Sequence, residues 1–205
     1  WVVSEFRRGN IKYLLGTDKK VIVINNCLLL SGGGAHVHKE GDPIIVISAN
    51  RFIPHKRISM IVELFATLAI PNSQLILTGG GDQKEIDIVK ETIKKLGVEN
   101  SVHIMGILPI EQVYENFSKA SYYISTSLEE GFPNVFIEAM HYGLPVVTSD
   151  AGGSGELVIN NESGFVIDPY DKNGFLEKMK ALSTDVNLLN QMSQNARKRS
   201  ELFNL

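Results

Sequence analysis

The sequence predicts an α/β domain built on a doubly wound, mostly parallel sheet, and three observations predict it. Short apolar runs alternate with helical stripes along the whole chain. Most of those runs are too apolar to leave one face wet, as befits strands covered by helices on both sides. Glycine and charge gather after the runs and rarely before them. With 205 residues, 43% of them hydrophobic, the chain has the length of one large domain and enough apolar side chains to fill its core.

The strands are read first. Residues 20–24, 44–48, 74–78, 102–105, 122–126, 145–148 and 164–167 carry the short runs. Between them, Ile58, Ile61, Val62, Phe65 and Leu68 mark one helix, which must end before Pro71. A second starts at Asp82, with Glu85 completing a capping box; its stripe is Ile86, Val89, Ile93 and Leu96, and Gly97 is its left-handed stop. Val113, Tyr114 and Phe117 mark a third. A fourth runs from Pro133, a good first-turn residue, to Gly143. The tail reads as two helices, with Asp171 and Asp185 as caps. Parallel strands joined through helices require right-handed crossovers, which put helices on both faces of the sheet.

Composition excludes several functions. A formal charge of −3 offers no electrostatic footprint for nucleic acid. No run approaches the roughly 20 apolar residues of a membrane span. The single cysteine, Cys27, rules out a disulfide framework and suits a reducing compartment. The chain begins at Trp1 in mid-pattern, as a piece of a longer protein would.

Helix-to-strand connections such as Pro71-Asn72-Ser73 are bland, whereas strand-to-helix connections hold the chemistry. In open α/β sheets ligands bind outside the carboxyl ends of the strands. There the sequence places Arg51 and Lys56, Gly79-Gly80-Gly81, Gly106-Ile107-Leu108, Glu129-Glu130-Gly131 and Gly152-Gly153. Glycines, helix N-termini and two cations describe a phosphate or pyrophosphate site. Glu130 and Glu138 would be ill placed beside phosphate but suit hydroxyl groups, since a carboxylate can accept both bonds of a vicinal diol. Phosphate donors with diol acceptors imply a nucleotide carrying a sugar.

Plainer readings stand beside these. Gly79-Gly80-Gly81 alone is better explained by a strand-to-helix turn than by ligand approach, and Arg51 with Lys56 serves equally as a solvated loop pair. No dinucleotide G-x-G-x-x-G or P-loop pattern is present. His36 and His38 form an H-x-H without an evident third ligand, so no metal is expected there. His55, His103 and His141 read as surface or packing residues.

One segment is more specific. Glu130-Gly131-Phe132-Pro133-Asn134-Val135-Phe136-Ile137-Glu138 resembles the E-x7-E signature of the retaining nucleotide-sugar glycosyltransferases of family 4, which have the GT-B fold. Asn50-Arg51 to Lys56 resembles that family's G-R-x-x-x-x-K, Thr78-Gly79-Gly80-Gly81 its V-G-x-G turn, and Gly143-Leu144-Pro145-Val146-Val147 its G-x-P-V-V. Asp150 to Glu156 resembles G-G-x-x-E, and Ile24-Asn25-Asn26-Cys27 the usual I-P-N-G. Departures are Asn25 for proline, Cys27 for glycine, Leu29 where an acid is common, and Ala49-Asn50 for the glycine before Arg51.

The resemblance implies one Rossmann-like donor domain over residues 17–205, with residues 1–16 connecting it to an N-terminal acceptor domain. By that likeness Arg51 and Lys56 hold the diphosphate and stabilise the leaving group. Glu138 binds the ribose hydroxyls, and Glu130 a hydroxyl of the transferred sugar. The backbone of Gly131, Phe132, Pro133, Asn134 and Val135 surrounds sugar and phosphate, with Gly79 and Gly80 nearby. Ile107 and Leu108 meet the base. The substrate implied is a UDP-sugar first and a GDP-sugar second, with no cofactor and no divalent metal. The acceptor implied is a sugar or lipid-linked glycan in bacterial surface polysaccharide assembly, at the cytoplasmic face of the membrane. This domain alone would bind but hardly turn over. The competing readings are a nucleotide-sugar epimerase or hydrolase domain and a non-catalytic nucleotide-binding module.

Overall fold

The computed structural model describes residues 1–17, 21–30, 32–34 and 36–205. Six strands form one sheet: β1 (Ile44–Ala49), β2 (Ser73–Thr78), β3 (Val102–Gly106), β4 (Tyr122–Ser125), β5 (Val146–Ser149) and β6 (Gly164–Ile167). Their order is β3-β2-β1-β4-β5-β6, with every pairing parallel. Winding reverses between β1 and β4, where Ile47 sits beside Tyr123 on one side and Ile76 on the other. That reversal opens a crevice at the carboxyl ends of the two strands.

Eight α-helices accompany the sheet among the described residues: α1 (Glu5–Leu15), α2 (Ile58–Leu68), α3 (Gln83–Leu96), α4 (Ile110–Lys119), α5 (Asn134–His141), α6 (Ser154–Leu157), α7 (Lys172–Thr184) and α8 (Val186–Ser200). Alternate strand residues serve opposite layers. Val46 and Tyr122 pack with α2, α3 and α7, whereas Ile47 and Tyr123 pack with α4, α5 and the end of α8. This two-sided burial is why the strand runs read as apolar without a polar alternation. No helix among the described residues is long and apolar enough to cross a membrane.

Most of the expected helices appear where the stripes put them. Asp171 accepts from the Gly174 N–H, and Asp185 from the N–H groups of Asn187 and Leu188. Gly97 ends α3 in the left-handed conformation. Four details differ. Asp82 occupies the N-cap of α3, but its carboxylate accepts no capping bond; its own N–H is drawn to the Phe52 carbonyl at 2.8 Å. Leu96 is 40% exposed, so the α3 stripe ends at Ile93. Pro133 is the N-cap of α5 and not its first turn, and the helix stops at His141. The strand expected over 20–24 does not form in its described part, residues 21–24. Lys20 lies outside the described residues, and Val23 makes only an isolated bridge to Val2. Ile22 and Ile24 are both exposed, so no second layer covers that run.

Candidate functional site

The floor of the crevice is a buried polar web. Asn50, the residue after β1, is 9% exposed, and its amide donates to Ser48 Oγ at 3.0 Å and Tyr123 Oη at 2.9 Å. The Tyr123 hydroxyl donates in turn to the Ala49 carbonyl at 3.0 Å. Asn50 therefore anchors the carboxyl end of β1 against β4. Asn50 and Tyr123 were not expected from sequence; an amide directly after a buried strand was the available signal.

From this floor the chain turns through a 3-10 segment, Pro54–Lys56, into α2. Arg57 follows with a left-handed φ of 49° and donates its Nε to the Thr126 carbonyl at 2.7 Å. Thr126 Oγ1 donates to the carbonyls of Lys56 and Arg57, and the Leu128 N–H to the His55 carbonyl at 2.8 Å. The loops after β1 and β4 are thus stitched together. Burial pushes the pKa of the Arg57 guanidinium below its usual value, and its Nη2 is buried without a hydrogen-bond partner among the described residues.

Two adjoining clefts follow. One, of about 390 Å³, is lined by Arg51, His55, Lys56, Glu130 and Gly131. The other, of about 280 Å³, is lined by Gly79, Ile107, Leu108, Val135 and Glu138. Ala49, Asn50 and Arg51 line both. Arg51 is exposed and makes no ion pair among the described residues, whereas Lys56 Nζ lies 2.5 Å from Glu130 Oε1. The Glu138 carboxylate accepts no hydrogen bond from a described side chain or backbone, and burial raises its pKa. Burial also raises that of Tyr123, with the negative charges of Glu130 and Glu138 adding to the shift, so both carboxylates act on one hydroxyl.

The remaining expected residues fall as follows. Phe132 and Pro133 are buried and Asn134 is exposed, and none of the three lines either cleft. The Phe132 ring packs against Phe203 with centroids 5.7 Å apart, leaving only its main chain for a ligand. Asn134 Oδ1 accepts from Asn26 Nδ2 at 2.7 Å. Gly80 lies behind Ile107 and not in the cleft wall. Glu129 lines the same cleft as Glu130, but its carboxylate is engaged by Arg7 at 3.1 Å and not by Lys56. Arg7 itself, from α1, lines the cationic cleft and had no sequence signal of its own. A larger hollow of about 520 Å³ lies at the amino end of β1, beside Ile44, and contains none of Arg51, Lys56, Gly79, Gly80 and Gly81.

The arrangement can grip an anion at Arg51 and Lys56 while offering carboxylate acceptors on either side. A family model described as glycosyl transferases group 1 matches residues 35–199. The capsular polysaccharide biosynthesis glycosyltransferase CapM of Staphylococcus aureus is 24% identical over 160 residues, 78% of this chain and 42% of its own. The crystal structure of Anabaena Alr3699/HepE in complex with UDP and glucose is similar with a TM-score of 0.71 at 29% identity, covering 79% of this chain and 45% of that one. Sucrose-phosphate synthase from Thermosynechococcus elongatus reaches a TM-score of 0.85 at 27% identity, covering 99% and 53%. The chain spans less than half the length of the curated relatives it matches. A sheet of this order, a crevice at its switch point and a family match over most of the residues lead to one assignment: the chain belongs to the group 1 glycosyl transferases, as a Rossmann-like half of their GT-B fold.

Proposed function

We propose that this chain is the donor-binding domain of a glycosyltransferase that takes a hexosyl group from a nucleoside diphosphate and transfers it with retention at the anomeric carbon. The observation that carries this reading is the position of Arg51, which lines both the cleft holding Lys56 and Glu130 and the cleft holding Glu138. One guanidinium can therefore hold a diphosphate between a sugar on one side and a ribose on the other. The Glu138 carboxylate, partly desolvated and without an internal donor, is satisfied by a vicinal diol. Ile107 and Leu108 then face the base.

As the anomeric C–O bond breaks, negative charge grows on the diphosphate. Arg51 and Lys56 stabilise it, as preorganised cations do where charge develops in a transition state, and this charge compensation needs no divalent metal. Lys56 exchanges Glu130 for phosphate, and the freed carboxylate accepts from a sugar hydroxyl. A UDP-sugar is the first expectation, supported by the relative bound to UDP and glucose, and a GDP-sugar the second. Residues 1–16 join this domain to a second one that takes the acceptor, a sugar or lipid-linked glycan of a surface polysaccharide at the cytoplasmic membrane face, a reading supported by the capsular relative.

Titration calorimetry of the chain with UDP, GDP and ADP, each with and without EDTA, tests the reading. Binding between micromolar and millimolar, about −4 to −8 kcal/mol, is expected for UDP and is unchanged by EDTA. Failure of all three nucleotides to bind overturns the reading. Retention is tested on the full-length enzyme by the anomeric NMR signal of its first product.

A further inference from the structure

A second cluster of ligand-type side chains lies at the other end of the sheet. His36, His38 and Asp42 come from the loop leading into β1, and one ligand atom from each lies within 4.8 Å of the other two. The rings of His36 and His38 stand nearly perpendicular, with centroids 4.6 Å apart, and His36 Nε2 is 4.0 Å from Asp42 Oδ2. The sequence offered only the H-x-H pair; the turn at Lys39–Asp42 brings the third group. Asp42 Oδ2 accepts from the Lys39 N–H at 2.9 Å, and the Asp42 N–H donates to the Lys39 carbonyl, which fixes that carboxylate in the turn after His38.

His38 is the least easily explained member of the cluster. It is 6% exposed, and its Nδ1 is buried without a hydrogen-bond partner among the described residues. Its backbone is clamped to α8 by both groups of the Asn190 amide, each at 2.9 Å. An orphaned buried imidazole nitrogen costs free energy that a ligand would recover. The cleft beside the cluster, about 360 Å³, is open to Ser118 and Lys119, and Lys119 is held by Glu115 at 2.6 Å.

We propose that His36, His38 and Asp42 bind a divalent transition ion of the zinc class, which ties the exposed His36 and Asp42 to His38, whose backbone Asn190 already holds to α8. Two imidazoles and a carboxylate are the donor set such ions select. Tetrahedral bonds near 2.0–2.2 Å place ligand atoms about 3.3 Å apart, so the cluster must close by roughly an ångström. His36, with half its side chain exposed, has the room to swing. Three protein ligands leave the fourth position to water. The site lies at the amino end of β1, across the sheet from the nucleotide clefts, and its role is independent of donor binding.

The test is Co²⁺ titration of the EDTA-stripped chain, followed by its visible d–d absorption and by displacement with Zn²⁺. A saturable signal at one ion per chain is expected, weakened at least tenfold in His36→Ala and in Asp42→Asn. Zn²⁺ should raise the melting temperature of the parent and not of either variant. UDP binding, measured on the same samples, should be unaltered. Absence of a saturable signal, or equal affinity in the parent and both variants, overturns the site.

Discussion

Lys56 and Glu130, 74 residues apart in sequence, form an ion pair of 2.5 Å with side chains only 13% and 8% exposed. No other ion pair joins the two loops that flank the crevice among the described residues. Removing one partner from such a pair strands the other in a poorly hydrated place, which costs about 3 kcal/mol when burial is complete. Lys56→Met and Glu130→Gln are each expected to lower stability by about 1–3 kcal/mol, and the double variant by less than their sum. Urea midpoints of the four proteins give the coupling directly. A coupling indistinguishable from zero means that the two groups do not pair in solution.

The same pair bears on nucleotide binding. Arg51 already points into both clefts without an internal partner, whereas Lys56 must first release Glu130. Arg51→Ala is therefore expected to weaken UDP binding by roughly 1.5–3 kcal/mol, the range of a charge-assisted hydrogen bond. Lys56→Ala should cost less, because its bond to phosphate replaces an existing one. Calorimetric dissociation constants rank the two, and a larger loss for Lys56→Ala contradicts the exchange.

Glu138 carries a cost that the proposed ribose contact would offset. Burial raises its pKa above the usual carboxylate value of 4.5. A carboxyl with a raised folded pKa binds more protons folded than unfolded, so stability falls as pH climbs from 4.5 through the raised value. Below 4.5 both states are protonated and the penalty vanishes. Glu138→Gln is expected to be more stable than the parent at pH 7 and equal to it at pH 4. It should also lose UDP affinity. Thermal melts at the two pH values decide the point, and a variant less stable at pH 7 would show that the carboxylate is internally satisfied.

How much of this was legible in the sequence depends on how far apart the partners are. The stripe Ile58-Ile61-Val62-Phe65 needs only its own periodicity, and α2 lies where the stripe lies. Asp82 and Glu85 fit a local capping pattern, yet a tertiary bond from the Asp82 N–H to Phe52 holds the turn without any side-chain cap. Helix α1 has no buried residue and no apolar stripe, so nothing in residues 5–15 announces it. The positions of Arg51, Lys56, Glu130 and Glu138 on one rim follow from strand order. Their internal pairing depends on loop geometry that no spacing encodes. Asp42 beside His36 and His38 is the same case: the ligand pair is visible, the turn that completes it is not.

The Gly79-Gly80-Gly81 triplet separates architecture from ligand approach. Gly79 has φ 129°, and a Cβ there would sit 2.0 Å from the Asn50 carbonyl oxygen, with backbone on both sides of the clash. Gly79→Ala is expected to cost roughly 3–5 kcal/mol, combining strain with overpacking. At Gly80 the added Cβ would meet Ile107 Cδ1 at 2.7 Å, and Ile107 is 82% exposed and free to turn. Gly80→Ala should change stability by less than about 1 kcal/mol while altering nucleotide affinity through the displaced Ile107. Chemical denaturation and calorimetry on the two variants distinguish the roles; equal destabilisation would place both glycines in the frame alone.

Helix α1 is tethered by groups distant in sequence. Glu156 accepts from the N–H groups of Glu5 and Phe6, both at 2.9 Å, and Ser4 Oγ accepts from the Arg7 N–H at 3.2 Å. A carboxylate on the first free N–H groups of a helix both satisfies them and meets the positive end of its dipole. With no buried residue of its own, α1 depends on this cap and on the Arg7–Glu129 pair, an exposed contact worth at most about 1 kcal/mol. Glu156→Ala is expected to remove about 1–2 kcal/mol of local stability. Amides of Glu5, Phe6 and Arg7 should then exchange hydrogen roughly tenfold faster, whereas those of β1 and β4 keep their protection. Because Arg7 lines the cationic cleft, the loosened helix also withdraws a positive charge from the anion. UDP should bind the variant more weakly in low salt than the parent, a gap that closes as salt screens it. Unchanged exchange at residues 5–7 would show that α1 is held by contacts other than Glu156.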